Sequence, residues 1–402
     1  MIISVCYAFL LFLVGVVAYC AAYRTIHQRL LLASAVFFAG RCFLYLGNHE
    51  LGVFPPKFAN DWGLFWVEYN LLGNESVPNA ASFAIQGLLI APIYRMLPDP
   101  ILAAYAVNVA AFTLAGYAIG RFALLVAPPN KAALIFLAFN LFPAGNYFIM
   151  FGLRDPVILA GTTLFFCGLG RYLIGHSSRS YNAETLIGAV IMLVSRPELA
   201  VIFVPSLGLI GMAVAARKYR GSAARRMRPA LYVLATLILV PVAWVAYQAA
   251  VADVGFQQAG ITTILEVYGE ARYERQFSDK DLSGDESPII PPDLYGRLPL
   301  PARIAMQTAG MLVLPFPWLI NRVPKALAFV DSLLYMFLLW QMWRARHVRE
   351  VRYGLLVFAV ALLGMGTTVS NFGNAFRMRM VLFPIVVVAV AFAVARVRKS
   401  GP

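Results

Sequence analysis

A chain of 402 residues that is 61% hydrophobic and 13% charged, with mean hydropathy +0.73, carries more apolar surface than a water-soluble domain can bury. Its net charge of +14 would suit a nucleic-acid binder, but the basic residues punctuate apolar runs, so they read as topology signals and contacts to anionic lipid, and no nucleic-acid partner is expected. Cys6, Cys20, Cys42 and Cys167 all lie in apolar segments without a CxxC pair, which argues against an extramembrane disulfide framework or a zinc site.

The expected architecture is all-α: a polytopic integral membrane protein of about eleven transmembrane helices forming one transmembrane domain over 1–402. Apolar runs near the ~20 residues that cross a bilayer place the spans at 3–22, 30–46, 101–120, 132–149, 156–174, 184–195, 198–216, 229–249, 324–343, 353–370 and 380–396. The first run lacks a basic leader and reads as a retained span. Two long outer-face loops, 47–100 and 250–320, are expected to contain interfacial helices. Residues 81–97 are apolar, yet a full crossing there would put the Arg217–Arg228 cluster outside. They therefore read as an interfacial or re-entrant helix. Arg196-Pro197 interrupts the stretch 184–216, which reads as two short helices meeting at Ser195-Arg196-Pro197-Glu198.

The basic loops near Arg24/Arg29, Arg121/Lys131, Arg171/Arg179, Arg217–Arg228, Arg344–Arg352 and Arg396–Lys399 hold more than half of the basic residues and few acids. The positive-inside rule makes that side cytoplasmic, with the N-terminus outside and the C-terminus inside. The expected location is the bacterial inner membrane, with the functional face outward.

The unusual polar residues then collect at the opposite face. Residues 58–70, FANDWGLFWVEYN, hold Asp61 and Glu68 about two helical turns apart, with Trp62, Trp66 and Tyr69 between and beside them. That pattern suits a carboxylate general base beside an aromatic platform for sugar rings, and equally an amphipathic interface helix. FGLRDP, 151–156, supplies Arg154 and Asp155, which also suit a local pair capping the next helix, with Pro156 in its first turn. Arg196, inside a long apolar stretch beside Glu198, needs a buried partner, a wet cavity or an anionic ligand. NAFRMRM, 374–380, puts Arg377 and Arg379 at the outer start of the last span, where snorkelling to lipid phosphate is the plain alternative. Guanidinium pairs with phosphate through two hydrogen bonds, so arginines from three outer turns point to a phosphate or diphosphate. No HExxH, P-loop or GxSxG motif occurs, and no metal or cofactor is expected, although Asp61, Asp155 and Glu198 are able to take a divalent cation.

On these motifs the chain resembles the GT-C superfamily of membrane glycosyltransferases and the related bacterial exopolysaccharide and O-antigen polymerases. The likeness runs over roughly 30–396: the outer loop with Asp61 and Tyr69, GLLIAPIYRMLPDP leading into a span, YAIGRFALLVAPPNK, the GLRDP turn, SRPE, PFPW, and FRMRMVLFP at the final span. The Asp-Glu pair of protein mannosyltransferases and a WWDxG-type signature are missing, and the extra N-terminal span favours the polymerase-like branch. The resemblance implies a sugar or oligosaccharide carried on a polyprenyl phosphate or diphosphate. It further implies transfer at the outer face, Asp61 as the base, and polysaccharide-assembly proteins as partners. A lipid-linked oligosaccharide transporter or flippase, kept open by Arg41 and Arg196, and a noncatalytic assembly subunit are the alternatives.

Overall fold

A computed structural model describes residues 2–23, 27–52, 84–97, 101–175, 179–196, 288–295, 297–320, 322–366 and 372–396, with isolated positions at 67, 99, 199, 206 and 208. The described residues are helical, with no β-strand. The helices are α1 (Ile2–Tyr23), α2 (Gln28–Leu51), α3 (Ala84–Tyr94), α4 (Ile101–Val126), α5 (Pro129–Asn140), α6 (Pro143–Ile149), α7 (Asp155–Leu173), α8 (Arg179–Ser195), α9 (Leu300–Val313), α10 (Val323–Arg344), α11 (Arg349–Gly366) and α12 (Phe372–Arg396). Among them, six are long and apolar enough to cross a membrane, or seven if the bent pair α5 and α6 is one span. That is the architecture of an integral membrane protein: only structures that satisfy their own backbone hydrogen bonds can cross hydrocarbon. Two of the expected spans, 198–216 and 229–249, lie outside the described residues except for isolated positions.

The chain divides into two compact units, 1–197 with 387–402, and 198–386. In the first unit α4 is the axis. It packs against α1, α2, α3, α5, α6 and α7, and almost every residue from Ile101 to Ala123 is buried. The outer helices keep an apolar face turned away from protein: Phe9, Leu13, Val14 and Val17 on α1, and Leu32, Val36 and Phe43 on α2, are exposed. Lipid covers such a face without cost, so these residues need no protein partner.

The closest helix contact is α7 with α8. A Cβ at Gly188 would sit 2.6 Å from the carbonyl oxygen of Gly161 and run into the backbone of Phe165. Two glycines therefore let these backbones touch, as small residues do between membrane helices. In the second unit α9 packs on α10 and α11.

The structure alters three expectations. The run 132–149 is not one helix. It breaks after Asn140 and restarts at Pro143, with a 43° bend, because Pro143 lacks an amide hydrogen and keeps Phe142 extended (ψ 117°). The last span begins at Phe372 rather than at 380, so Arg377 and Arg379 lie inside α12 and are buried. Within 184–216 the first helix is longer than expected. It starts at Arg179 and ends at Ser195, immediately before Arg196-Pro197. Helix α3 has 11 residues, about 16 Å of rise, too short to cross alone, where the sequence leads us to expect an interfacial or re-entrant helix over 81–97.

Candidate functional site

Side-chain contacts sort the helix ends of the first unit into two groups. At one end Ser4, at the start of α1, meets Tyr45 of α2 (3.2 Å) and donates to the carbonyl of Leu102 at the start of α4 (2.7 Å). The same end holds the close of α6, the start of α7 and the close of α8. At the other end, Tyr19 and Tyr23 close α1, Arg121 lies late in α4, Arg171 late in α7, and Glu184 early in α8. This is the alternation that the basic loops demand, and the first end is the one they assign to the outer face.

The turn Met150–Asp155 lies at that first end, and amides from three helices hold it. Asn48 of α2 donates to the carbonyl of Met150 (3.1 Å), Gln86 of α3 to that of Gly152 (3.0 Å), and Asn108 of α4 to that of Leu153 (2.7 Å). Gln86 also donates to Asn108 Oδ1 (3.0 Å), so the amides form a chain. All three side chains are buried. Gly152 takes φ +68°, a conformation other residues resist, and its Cα packs near Tyr105 and Ala104. The turn is thus rigid from its own sequence and from outside it.

Arg154 follows as the N-cap of α7 and is half-buried. Asp155 is fully buried, and its Oδ1 accepts from Arg196 Nη2 at 3.2 Å. The sequence suggested a local pair with Arg154; the structure shows Asp155 in a long-range ion pair. It joins the start of α7 to the close of α8 and gives Arg196 the buried partner its setting requires.

Arg41 lies deeper, on α2, 1% exposed. Its Nε donates to Asn146 Oδ1 (3.2 Å), its Nη1 to Thr113 Oγ1 (3.0 Å), and its Nη2 to both the carbonyl and Oδ1 of Asn140 (3.1 and 2.9 Å). The guanidinium sits 3.9 Å from the centre of the Phe112 ring. These partners are neutral. What offsets the charge is the C-terminal end of α5, whose unsatisfied carbonyls carry partial negative charge. Asn146 completes the break by donating to the carbonyls of Asn140 and Phe142 (2.8 and 3.0 Å).

The opposite end carries an ion-pair cluster. Glu184 accepts from Arg171 and from the hydroxyls of Tyr19 and Tyr23, and the Arg121 guanidinium stands over both tyrosine rings (5.3 and 4.9 Å).

In the second unit, Arg379 is fully buried. It donates to the carbonyls of Met311, Leu314 and Ala328, to Ser332 Oγ and to Asp331 Oδ2, while its own carbonyl accepts from the Tyr335 hydroxyl. These bonds tie α12 to α9 and α10 and occupy the guanidinium with acceptors of the protein itself. Arg377 is buried two residues earlier. Asp61, Trp62, Trp66, Glu68, Tyr69 and Glu198 lie outside the described residues. Among the described residues no three His, Cys, Asp or Glu side chains gather where they would hold a metal ion.

Reading the sequence by its charged outer turns found the 151–155 turn and Arg196. It missed the three amides that hold the turn, the Asn140/Asn146 break, and Asp331. Each was visible as a polar residue inside an apolar run, but no periodicity says which polar residues meet. No protein-family model matches the chain, and no curated protein or solved structure matches it significantly.

Proposed function

We propose that this chain is a membrane glycosyltransferase of polysaccharide assembly. It transfers a sugar or oligosaccharide from a polyprenyl phosphate or diphosphate carrier at the outer face, in the manner of a polymerase. The observation that supports this reading most is the anchored 150–155 turn, with Arg154 at its tip and the Asp155–Arg196 pair behind it. Preorganised donors that do not rearrange during reaction stabilise developing charge best.

In the proposed step the acceptor hydroxyl attacks the anomeric carbon. The bond from that carbon to the carrier phosphate oxygen breaks, and the electron pair leaves with the phosphate or diphosphate. Asp61 takes the hydroxyl proton, with Glu68 as the alternative base. Arg154 and Arg196 meet the charge on the departing group, and Trp62, Trp66 and Tyr69 stack on sugar rings. Arg379 is assigned to packing because its donors already have acceptors.

The test uses purified protein in nanodiscs with lipid-linked oligosaccharide extracted from the producing cells. Asp61→Asn is expected to lower transfer by ~100–10,000-fold while binding of polyprenyl diphosphate persists. Near-normal turnover at matched protein levels would remove Asp61 as the base. Arg154→Gln is expected to weaken carrier binding about tenfold or more.

A second reading, a flippase for the same lipid, is favoured by one observation: the α5–α6 break with Arg41 bound to it. Broken helices with polar side chains inside the membrane are a feature of transporters. Movement of a fluorescent polyprenyl diphosphate between leaflets, without any transfer product, would select it.

A further inference from the structure

In the second unit, α10 ends at Arg344 and α11 starts at Arg349, and neither reading uses the turn between them. The basic loops assign this turn to the cytoplasmic side. Arg344, Arg346, Arg349 and Arg352 are all exposed there. The acid among them, Glu350, is buried and accepts from Arg349 Nη2 (2.8 Å). Among the described residues Arg344, Arg346 and Arg352 have no ion pair, so the turn keeps a net positive surface. Two of these guanidinium groups are held in place. Arg344 stands over the Trp340 ring and Arg346 over the Trp343 ring, each 4.9 Å from the ring centre. Arg346 Nη1 also donates to the carbonyl of Trp343 (3.1 Å). A guanidinium that lies on a ring uses its face there and leaves in-plane N–H groups for an anion.

Exposed arginines alone would make an ordinary hydrated loop. The apolar surface that runs up to them points to lipid. Leu333, Met336, Phe337 and Trp340 recur at helical spacing on one side of α10, and all are exposed. The Phe337 and Trp340 rings lie 6.2 Å apart, so the stripe continues to the arginines without a gap. Helix α10 is itself long and apolar enough to cross a membrane. Trp340 and Trp343, 51% and 60% exposed, stand near its end, where tryptophans sit at the level of lipid headgroups. The order along the helix is therefore that of a phospholipid: apolar surface for chains, rings at the interface, guanidinium groups for phosphate. The two guanidinium groups rest on different rings, so each is able to take a phosphate of its own.

We propose that the α10–α11 turn binds a phospholipid of the cardiolipin class, with two phosphates in one headgroup, drawn from the cytoplasmic leaflet. Arg344 and Arg346 hold the phosphates, and the exposed face of α10 lies against the acyl chains. The inference stands apart from the sugar-transfer reading and holds whether or not the protein is an enzyme.

The experiment uses delipidated full-length protein in neutral detergent. Binding of cardiolipin, of phosphatidylglycerol, which has one phosphate, and of phosphatidylcholine is measured separately. Wild-type protein is expected to prefer cardiolipin over either of the others by about tenfold or more. The double variant Arg344→Gln/Arg346→Gln is expected to lose that preference. A control, Arg29→Gln/Lys131→Gln, removes two exposed cations elsewhere on the same expected side and is expected to keep it. The second measurement is the rise in unfolding midpoint on adding cardiolipin, taken against each protein's own lipid-free midpoint. Wild type and control are expected to show the rise, and Arg344→Gln/Arg346→Gln to lack it. Equal affinity for cardiolipin and phosphatidylglycerol would overturn the two-phosphate site. An equal loss in the control would also overturn it, by reducing the effect to the overall charge of that face.

Discussion

Three of the buried arginines are kept by three different sets of partners. Arg196 has a carboxylate, Arg379 has a carboxylate and a ring of carbonyls, and Arg41 has neutral amides and a helix C-terminus. The consequences of substitution differ accordingly. Arg196→Gln removes one charged partner of the buried Asp155, and is expected to cost ~3–5 kcal/mol of stability. Adding Asp155→Asn should restore most of that loss, because two neutral amides replace an ion pair. Chemical unfolding in detergent of both single variants and the double variant measures the coupling. Additive losses would show that the pair contributes little as a pair. Arg41→Lys keeps the charge but loses the planar fork that reaches Asn140, Asn146 and Thr113 together, so it is expected to destabilise the α5–α6 break despite its conservative chemistry.

At the scale of elements, the interface of α7 with α8 depends on two glycines that are not equivalent. A methyl at Gly188 meets backbone, the carbonyl of Gly161 and the peptide of Phe165, which cannot give way. A methyl at Gly161 meets the Ile191 side chain, its Cγ2 at 2.6 Å and its Cβ at 2.9 Å, while the nearest backbone atom, the Gly188 carbonyl oxygen, is farther away at 3.2 Å. Gly188→Ala is therefore expected to cost ~1–3 kcal/mol by overpacking, and Gly161→Ala less. Unfolding midpoints of the two variants in the same detergent decide the order, and equal midpoints would contradict the backbone contact. The break between α5 and α6 was half legible in advance. Phe142-Pro143 marks a weak point in any helix, but a proline can also be carried through one, as Pro384 is in α12. What commits α5 to ending is the set of acceptors it leaves open, which Arg41 and Asn146 then fill.

For the whole molecule, the alternation of basic loops and the clustering of helix ends agree over the first unit, where both bear on α1 to α8. The topology expected from the basic loops has the 47–100 loop outside and 217–228 inside. Single cysteines introduced at Asn74 and Ser222, in a background lacking Cys6, Cys20, Cys42 and Cys167, test it with a membrane-impermeant thiol reagent. Labelling at Asn74 and not at Ser222 in intact cells is the expected result, and the reverse would invert the assignment.

The sequence by itself determined that this is a helical membrane protein, roughly where its helices lie, and that the 151–155 turn and Arg196 are unusual. Those conclusions depend on local properties: the length of an apolar run, the charge of a loop, a proline's missing hydrogen. Only the tertiary structure decided which polar groups meet. Asp155 pairs with Arg196, 41 residues away, and Asn48, Gln86 and Asn108 converge on one turn from three helices. Arg379 turns inward to Asp331, although its expected place at the outer start of the last span suggested a substrate phosphate or, in the plain alternative, a lipid headgroup. The physical reason is that hydrocarbon makes every polar side chain seek a partner without naming it. The choice rests on helix rotation and packing, which residues such as Gly161 and Gly188 set through contacts far apart in the chain.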